Sequence, residues 1–267
     1  MATVTHRPAG EQSGGKVRRS VLVLGEPGVG KTRFAGTFPS PLFLDYEQGC
    51  SSATPNGRPL TLEVATEKST LTTTRKIVAA IKKGEFDPET GLVTFVYDGH
   101  KMSCATLVID TIDVIQLACK QFDILTARDK MEREDWDVIL NRMAPLMMDL
   151  NALPIHVVVT AHTKKREAFR DRKGIQHPGE AAIAMQGSIR NQLPGWFDLI
   201  LHMITVDGRG RRAIVTGPKT LQGYKLLAKD RHGLLDHTLN DKGFIPQPLG
   251  ENGYPVPDIA NIICGKL

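Results

Sequence analysis

The chain has 267 residues, of which 41% are hydrophobic and 24% charged, with a formal net charge of +5 at pH 7. That length buries a substantial core without staples and suits one large domain or two small ones. No apolar stretch is long enough to span a bilayer, and Cys50, Cys104, Cys119 and Cys264 are spaced for neither a zinc site nor a redox pair. Reduced thiols in a cytoplasmic protein are the simplest reading. The mild positive balance permits nucleic-acid binding and fits a basic solvated surface equally well.

Residues 1–18 are rich in Gly, Ser and basic residues and lack the apolar run of a signal peptide, so they read as a flexible tail ahead of a domain over 19–240. The first strand, Val21–Leu24, leads into Gly25-Glu26-Pro27-Gly28-Val29-Gly30-Lys31-Thr32, which fits G-x-x-x-x-G-K-[ST], the phosphate-binding P-loop. Its glycines let successive N–H groups turn toward phosphate oxygens. Lys31 is placed to reach the β- and γ-phosphates and the Thr32 hydroxyl to ligate Mg²⁺. With Arg33, which opens the following helix, residues 25–33 form the candidate nucleotide contact.

A second strand, Leu42–Leu44, ends in Asp45-Tyr46-Glu47. Glu47 is a candidate base or positioner for an attacking water, and Asp45 supports the turn or the metal shell; the alternative is a pair of loop acids without catalytic work. A helix is expected around Thr70–Lys83, then a tight hairpin with Asp98-Gly99 at its turn. The strand Thr106–Ile109 ends in Asp110, which in this position holds Mg²⁺ through a bound water beside Thr32. Asp113 falls on the surface of the next helix, Ile112–Leu125. A further helix runs from Glu132 to about Leu150 and stops at Leu153-Pro154.

The strand Ile155–Thr160 brings Thr160 or His162 to the strand tips where α/β sheets bind ligands, with His162 the candidate γ-phosphate sensor; a structural histidine is the alternative. Lys164, Lys165, Arg166, Arg170, Arg172 and Lys173 then form a basic loop, either a contact for a phosphate backbone or a solvated charged loop. A second hairpin is expected over Leu199–Val215, with its turn at 207–210. After the strand Tyr224–Leu227, Lys229 and Arg231 point the same way: an exposed basic turn, or a pair reaching a neighbouring subunit's nucleotide. Residues 241–267, rich in Pro and Gly, read as an irregular peripheral tail ending in a short helix over Asp258–Cys264. Short apolar strands alternating with helices specify a mainly parallel sheet buried on both faces.

These residues, in this order, resemble the RecA-type ATPase core. Asp45-Tyr46-Glu47 matches the Asp-x-Glu of the RecA and RadA group, whose Glu is the catalytic base, and His162 stands where that group has a γ-phosphate-sensing Gln. Lys229-Asp230-Arg231-His232-Gly233 resembles the Lys-Asn-Arg-x-Gly element of bacterial RadA, related to the finger residues of DnaB-type helicases. Over roughly residues 18 to 235 the chain is similar to small phage-encoded AAA-type, RecA-core ATPases of single-strand annealing and recombination. The supporting text is Leu107–Asp113, the Trp136 helix, Val157–His162 and Gln192–Asp198. No helix-hairpin-helix domain and no Phe-x-x-Ala docking motif is visible.

The resemblance implies a RecA-like α/β domain with a β-hairpin insertion that hydrolyses ATP with Mg²⁺. It also implies action on single-stranded DNA, a homo-oligomer with shared ATP sites, and a single-strand-binding protein as a further partner, in the cytoplasm of a bacterial host. Other readings of a P-loop are a nucleotide-gated binding module, a protein-directed ATPase and a small-molecule kinase.

Overall fold

The computed structural model describes residues 18–53, 59–126, 129–171, 173–206, 212–221, 223–240, 243–247 and 258–265. In chain order the first elements are β1 (Ser20–Gly25), α1 (Lys31–Ala35), β2 (Pro41–Asp45), β3 (Leu60–Glu63), α2 (Thr70–Lys82), β4 (Glu85–Asp87), β5 (Leu92–Tyr97), β6 (His100–Cys104) and β7 (Thr106–Asp110). There follow α3 (Ile112–Ala118), α4 (Arg133–Asn151), β8 (His156–Arg166), β9 (Phe169–Arg170), β10 (Gln176–His177), β11 (Gly179–Ile183), α5 (Ile189–Gln192) and β12 (Leu199–Thr205). The chain closes with β13 (Arg212–Val215), β14 (Lys219–Leu221), β15 (Tyr224–Leu226), β16 (Lys229–Asp230), β17 (Ile245–Pro246) and α6 (Asp258–Ile263).

The central strands stand in the order β3-β2-β7-β8-β1-β12-β13-β17. Pairing is parallel from β3 to β12 and antiparallel beyond it. The period-2 alternation of a strand splits its apolar residues between two cores. Leu22, Leu24, Leu107, Ile109, Val157 and Val159 face a layer that includes Ile77, Ile115, Ile139 and Leu146 from α2, α3 and α4. Val21, Val23, Phe43, Val108 and Val158 face Phe34 of α1 and Ile259 and Ile263 of α6. Near-continuous apolar strands follow from this arrangement, since neither face meets water.

The expected helices form. α2 and α4 match their ranges closely, and α4 begins with a capping box in which the Glu132 backbone N–H donates to Asp135 Oδ2 at 2.8 Å. α3 passes into a π-helical turn over Cys119–Ile124. The insertion is the expected hairpin, β5 to β6, with Tyr97 opposite His100 and both turn residues at positive φ, Asp98 at 50° and Gly99 at 77°. β4 adds a third strand, and Val93 and Phe95 anchor the unit to the α2 side of the core.

Three parts differ from the sequence reading. β8 does not stop near Thr160 but continues to Arg166, where Thr163–Arg166 pairs with β11, and β11 pairs with β15. Lys164, Lys165 and Arg166 are therefore strand residues rather than loop residues, and Arg170 lies in the short β9–β10 ribbon. Phe169 and His177 stack at 4.7 Å across that ribbon. Paired strand backbone needs no apolar sequence when both faces are solvated, which is why a charged run here resembles a loop. The region expected as a peripheral tail also joins the core: Ile245 of β17 is buried beside Ile214, and Ala260 and Ile263 of α6 are buried. The 207–210 turn, most of the N-terminal tail and Arg172 lie outside the described residues.

Leu107 sits at the centre of the sheet with no exposed surface. Leu107→Ala is expected to lower unfolding free energy by about 2–5 kcal/mol. Val96→Thr, on a hairpin residue 61% exposed, should stay within about 0.5 kcal/mol. Urea denaturation of both variants measures the contrast.

Candidate functional site

The site forms where β1, β2, β7 and β8 end together. β1 is buried throughout and delivers Gly25 to the sheet edge, opposite His162 of β8. Beyond it Glu26, Pro27 and Gly28 are exposed, while Val29 turns back into the core. Gly28 (φ 77°) and Gly30 (φ 98°) hold left-handed conformations that a side chain would strain, and the resulting curl leads directly into α1. Arg33 is half-buried on α1.

Lys31 is buried, and its Nζ donates to the carbonyl oxygens of Gly25 and Glu26, each at 3.1 Å. Burial lowers its pKa, while the charges of Asp110, Asp113 and Glu47 act to raise it. The Thr32 hydroxyl donates to Asp110 Oδ2 at 2.7 Å, so the two residues expected to share a metal do meet. Asp110 is 5% exposed; it also accepts from the Thr160 hydroxyl at Oδ1 and from Cys50 Sγ at 3.7 Å. The buried Cys50 thiol is pushed well above its usual range by desolvation and by the adjacent carboxylates of Asp110 and Asp45. The Asp110–Thr111 peptide is cis.

Asp45 is a turn-builder. Its carboxylate accepts the backbone N–H groups of Glu47, Gly49 and Cys50 at 3.0–3.2 Å, which aims the following residues across the strand tips. Glu47 accordingly reaches the Thr111 hydroxyl at 3.4 Å and comes within 3.9 Å of His162 Nδ1. Desolvation, with Asp113 and Asp110 nearby, raises the Glu47 pKa against the lowering influence of His162.

Asp113 is not a surface residue of α3. Its Oδ1 accepts the His162 backbone N–H at 3.2 Å, and its Oδ2 lies 2.8 Å from His162 Nδ1. Burial pushes the Asp113 carboxyl upward, but its contacts with His162 outweigh burial and the net shift is downward. The His162 pKa is raised, chiefly by the hydrogen bond to Asp113 and against desolvation. Glu47, Asp113 and His162 thus form one cluster whose ligand atoms lie within 4.8 Å of one another. The sequence signal for Asp113 was its place three residues after Asp110, one helical turn on, which leaves it on the strand-tip side of α3.

The remaining candidates lie elsewhere. Lys165 pairs with Glu26 of the P-loop at 2.9 Å and lies 5.7 Å from the Tyr224 ring centroid, and Arg166 pairs with Glu180 at 3.4 Å. Lys164 is exposed, and Lys173 sits in a turn built on Asp171. Lys229 and Arg231 are at the other end of the sheet from this chain's P-loop: Asp230 pairs with Leu199, which pairs with Val21 at the start of β1. Lys229 Nζ donates to the Phe197 carbonyl at 2.7 Å, and Arg231 reaches Asp198 at 3.3 Å.

Among protein families, a model described as an AAA domain matches residues 18–232. No curated protein matches the chain. Among solved structures, the KaiC-like protein PH0186 from the hyperthermophilic archaeon Pyrococcus horikoshii OT3 is similar at 15% identity and a TM-score of 0.37, over 74% of this chain and 77% of that one. No helix among the described residues is long and apolar enough to cross a membrane.

The His162–Asp113 pair has a definite pH signature. A raised His162 pKa contributes stability that is fully present below its unfolded value and is lost as pH rises through the folded one; the depressed Asp113 pKa contributes stability lost as pH falls through its folded value. NMR titration should place the His162 midpoint above about 6.5, and Asp113→Asn should bring it down. The stability cost of Asp113→Asn should shrink as pH is raised past the wild-type midpoint.

Proposed function

Because the chain belongs to the AAA-domain family of P-loop proteins, we propose that it binds ATP with Mg²⁺ and hydrolyses the terminal phosphate by in-line attack of water. The observation that carries this reading is the 2.7 Å contact of Thr32 with Asp110, two residues 78 positions apart in sequence. Their oxygens form a hard, compact donor set on a carboxylate held by further hydrogen bonds, which fits Mg²⁺. The ion would neutralise charge on the phosphate oxygens. Lys31 and the P-loop N–H groups hold the phosphates, and Thr160 fixes the rotamer of Asp110. Glu47, whose carboxyl pKa is raised by desolvation, takes the proton from the attacking water. His162, locked by Asp113, reports the γ-phosphate to β8.

The finer role rests on resemblance: an ATPase acting on single-stranded DNA in phage recombination or replication, in the cytoplasm of a bacterial host and alongside a single-strand-binding protein. Lys164, Arg170 and Lys173 on the β8–β10 arm would track the phosphate backbone. Lys229 and Arg231, remote from their own P-loop, would serve the nucleotide of a neighbouring copy in a homo-oligomer. One observation favours a nucleotide-gated or protein-directed ATPase instead. Lys165 and Arg166 already pair with Glu26 and Glu180, which reduces the arm's charge available to DNA.

Steady-state ATP hydrolysis with and without single-stranded DNA separates these readings. Lys31→Ala should abolish turnover, and Glu47→Gln should retain ATP binding while losing turnover by about 10²–10⁴-fold. Stimulation by DNA supports the recombination role; turnover indifferent to DNA supports a protein partner, and a phosphorylated acceptor would reveal a kinase. Wild-type hydrolysis by Lys31→Ala would refute the ATPase assignment.

A further inference from the structure

Arg212 opens β13 and pairs in register with Thr205 of β12. β12 runs parallel to β1 with His202 beside Leu24. Thr205 and Arg212 therefore stand three residues further on, roughly 10 Å beyond Leu24 at the usual rise per residue. That height is the height of the P-loop. From there the guanidinium lies against Gly30. A Cβ at Gly30 would fall 2.6 Å from Arg212 Nη1, 2.9 Å from Cζ and 3.2 Å from Nε. Glycine suits position 30 for its φ of 98°, and the guanidinium occupies the space beside it.

Nη1 of Arg212 is buried and has no hydrogen-bond partner among the described residues. A buried guanidinium N–H without an acceptor is costly, and an anion placed there would satisfy it. Asp110 is committed to Thr32 and Thr160 and Asp113 to His162, while Glu47 stands beside Thr111 and His162. They also lie on other strands or their connections, with His162 on β8 at one flank of β1 and Arg212 on β13 beyond the opposite flank. The planar fork of a guanidinium matches phosphate oxygens.

We propose that Arg212 is a nucleotide-binding residue whose guanidinium, seated on Gly30, takes a phosphate oxygen of a nucleoside triphosphate held by the same chain's P-loop. This rests on the ATP-binding reading and adds to it a side-chain cation supplied in cis. The phosphates are then held between the Glu47–Asp113–His162 cluster on one flank and Arg212 on the other.

The test is equilibrium binding of a fluorescent ATP analogue with Mg²⁺ to the full chain, with ATP and adenosine as competitors, for wild type, Arg212→Gln, Arg212→Lys and Lys31→Ala. Arg212→Gln is expected to weaken ATP tenfold or more, leave adenosine unchanged and leave the ligand-free melting temperature equal or higher, since a buried guanidinium N–H with no acceptor among the described residues is gone. Arg212→Lys keeps the charge without the fork and should recover part of the affinity; it also serves alone should Arg212→Gln fail to fold. Unchanged ATP affinity in a folded Arg212 variant, with wild type binding well and Lys31→Ala not, overturns the role of Arg212 while sparing the P-loop reading. So does a lowered ligand-free melting temperature without loss of affinity, which marks a structural residue, or an equal loss for adenosine, which marks a contact to the base. Failure of wild type itself to bind overturns the ATP reading and this inference together.

Discussion

The carboxylate of Asp110 is the point on which the site is organised. A nearly inaccessible carboxylate is costly unless its oxygens are satisfied, and its three donors come from three different parts of the chain: Thr32 at the start of α1, Thr160 on β8, and Cys50 after β2. Sheet order makes this possible. β7 lies between β2 and β8, with Asp45 opposite Asp110 and Val159 opposite Ile109. β1 lies just beyond β8 and launches the P-loop across the same strand ends. A shift of one residue in any of these registers would turn Asp110 or Thr160 to the wrong face of the sheet.

Around that point three acids gather about one lysine and one histidine. Lys31 is buried and donates to two carbonyl oxygens among the described residues, and the acids Asp110, Asp113 and Glu47 act on it through space. Asp113 is occupied by His162, while Glu47 remains 44% exposed and only weakly held. This division separates two carboxylates by environment: one is locked as an orienting partner, and the other is open to solvent with a raised pKa. A group that exchanges protons with water needs the second environment.

The antiparallel arm formed by β8, β11 and β15 extends directly from the strand that carries His162. Its link to the P-loop is the exposed Lys165–Glu26 pair, a kind of contact worth about 0–1 kcal/mol. A link that weak holds the arm near the nucleotide and breaks at little cost. The arm is therefore mechanically continuous with the sheet and only lightly tied to the phosphate loop.

Much of this was legible without coordinates. The P-loop reads from eight contiguous residues because its function depends on local backbone geometry, and the strands of the central sheet read from their apolar runs because burial on both faces leaves no polar alternation. The acid-tipped strand named Asp110, and the hairpin turn Asp98-Gly99 named its own conformation. Charged residues hid the continuation of β8 to Arg166, and Pro and Gly hid the return of β17 and α6 to the core. Pairwise relations were invisible: Asp113 with His162 across 49 positions, Thr160 with Asp110 across 50, and Arg212 against Gly30. The sequence by itself determined the phosphate-loop motif, the parallel α/β layering and the acids at the tips of β2 and β7, since each follows from short-range pattern and burial. Only the tertiary structure decided which acid is locked, which stays open and which cation covers the loop, because strand order and register choose the neighbours of a side chain.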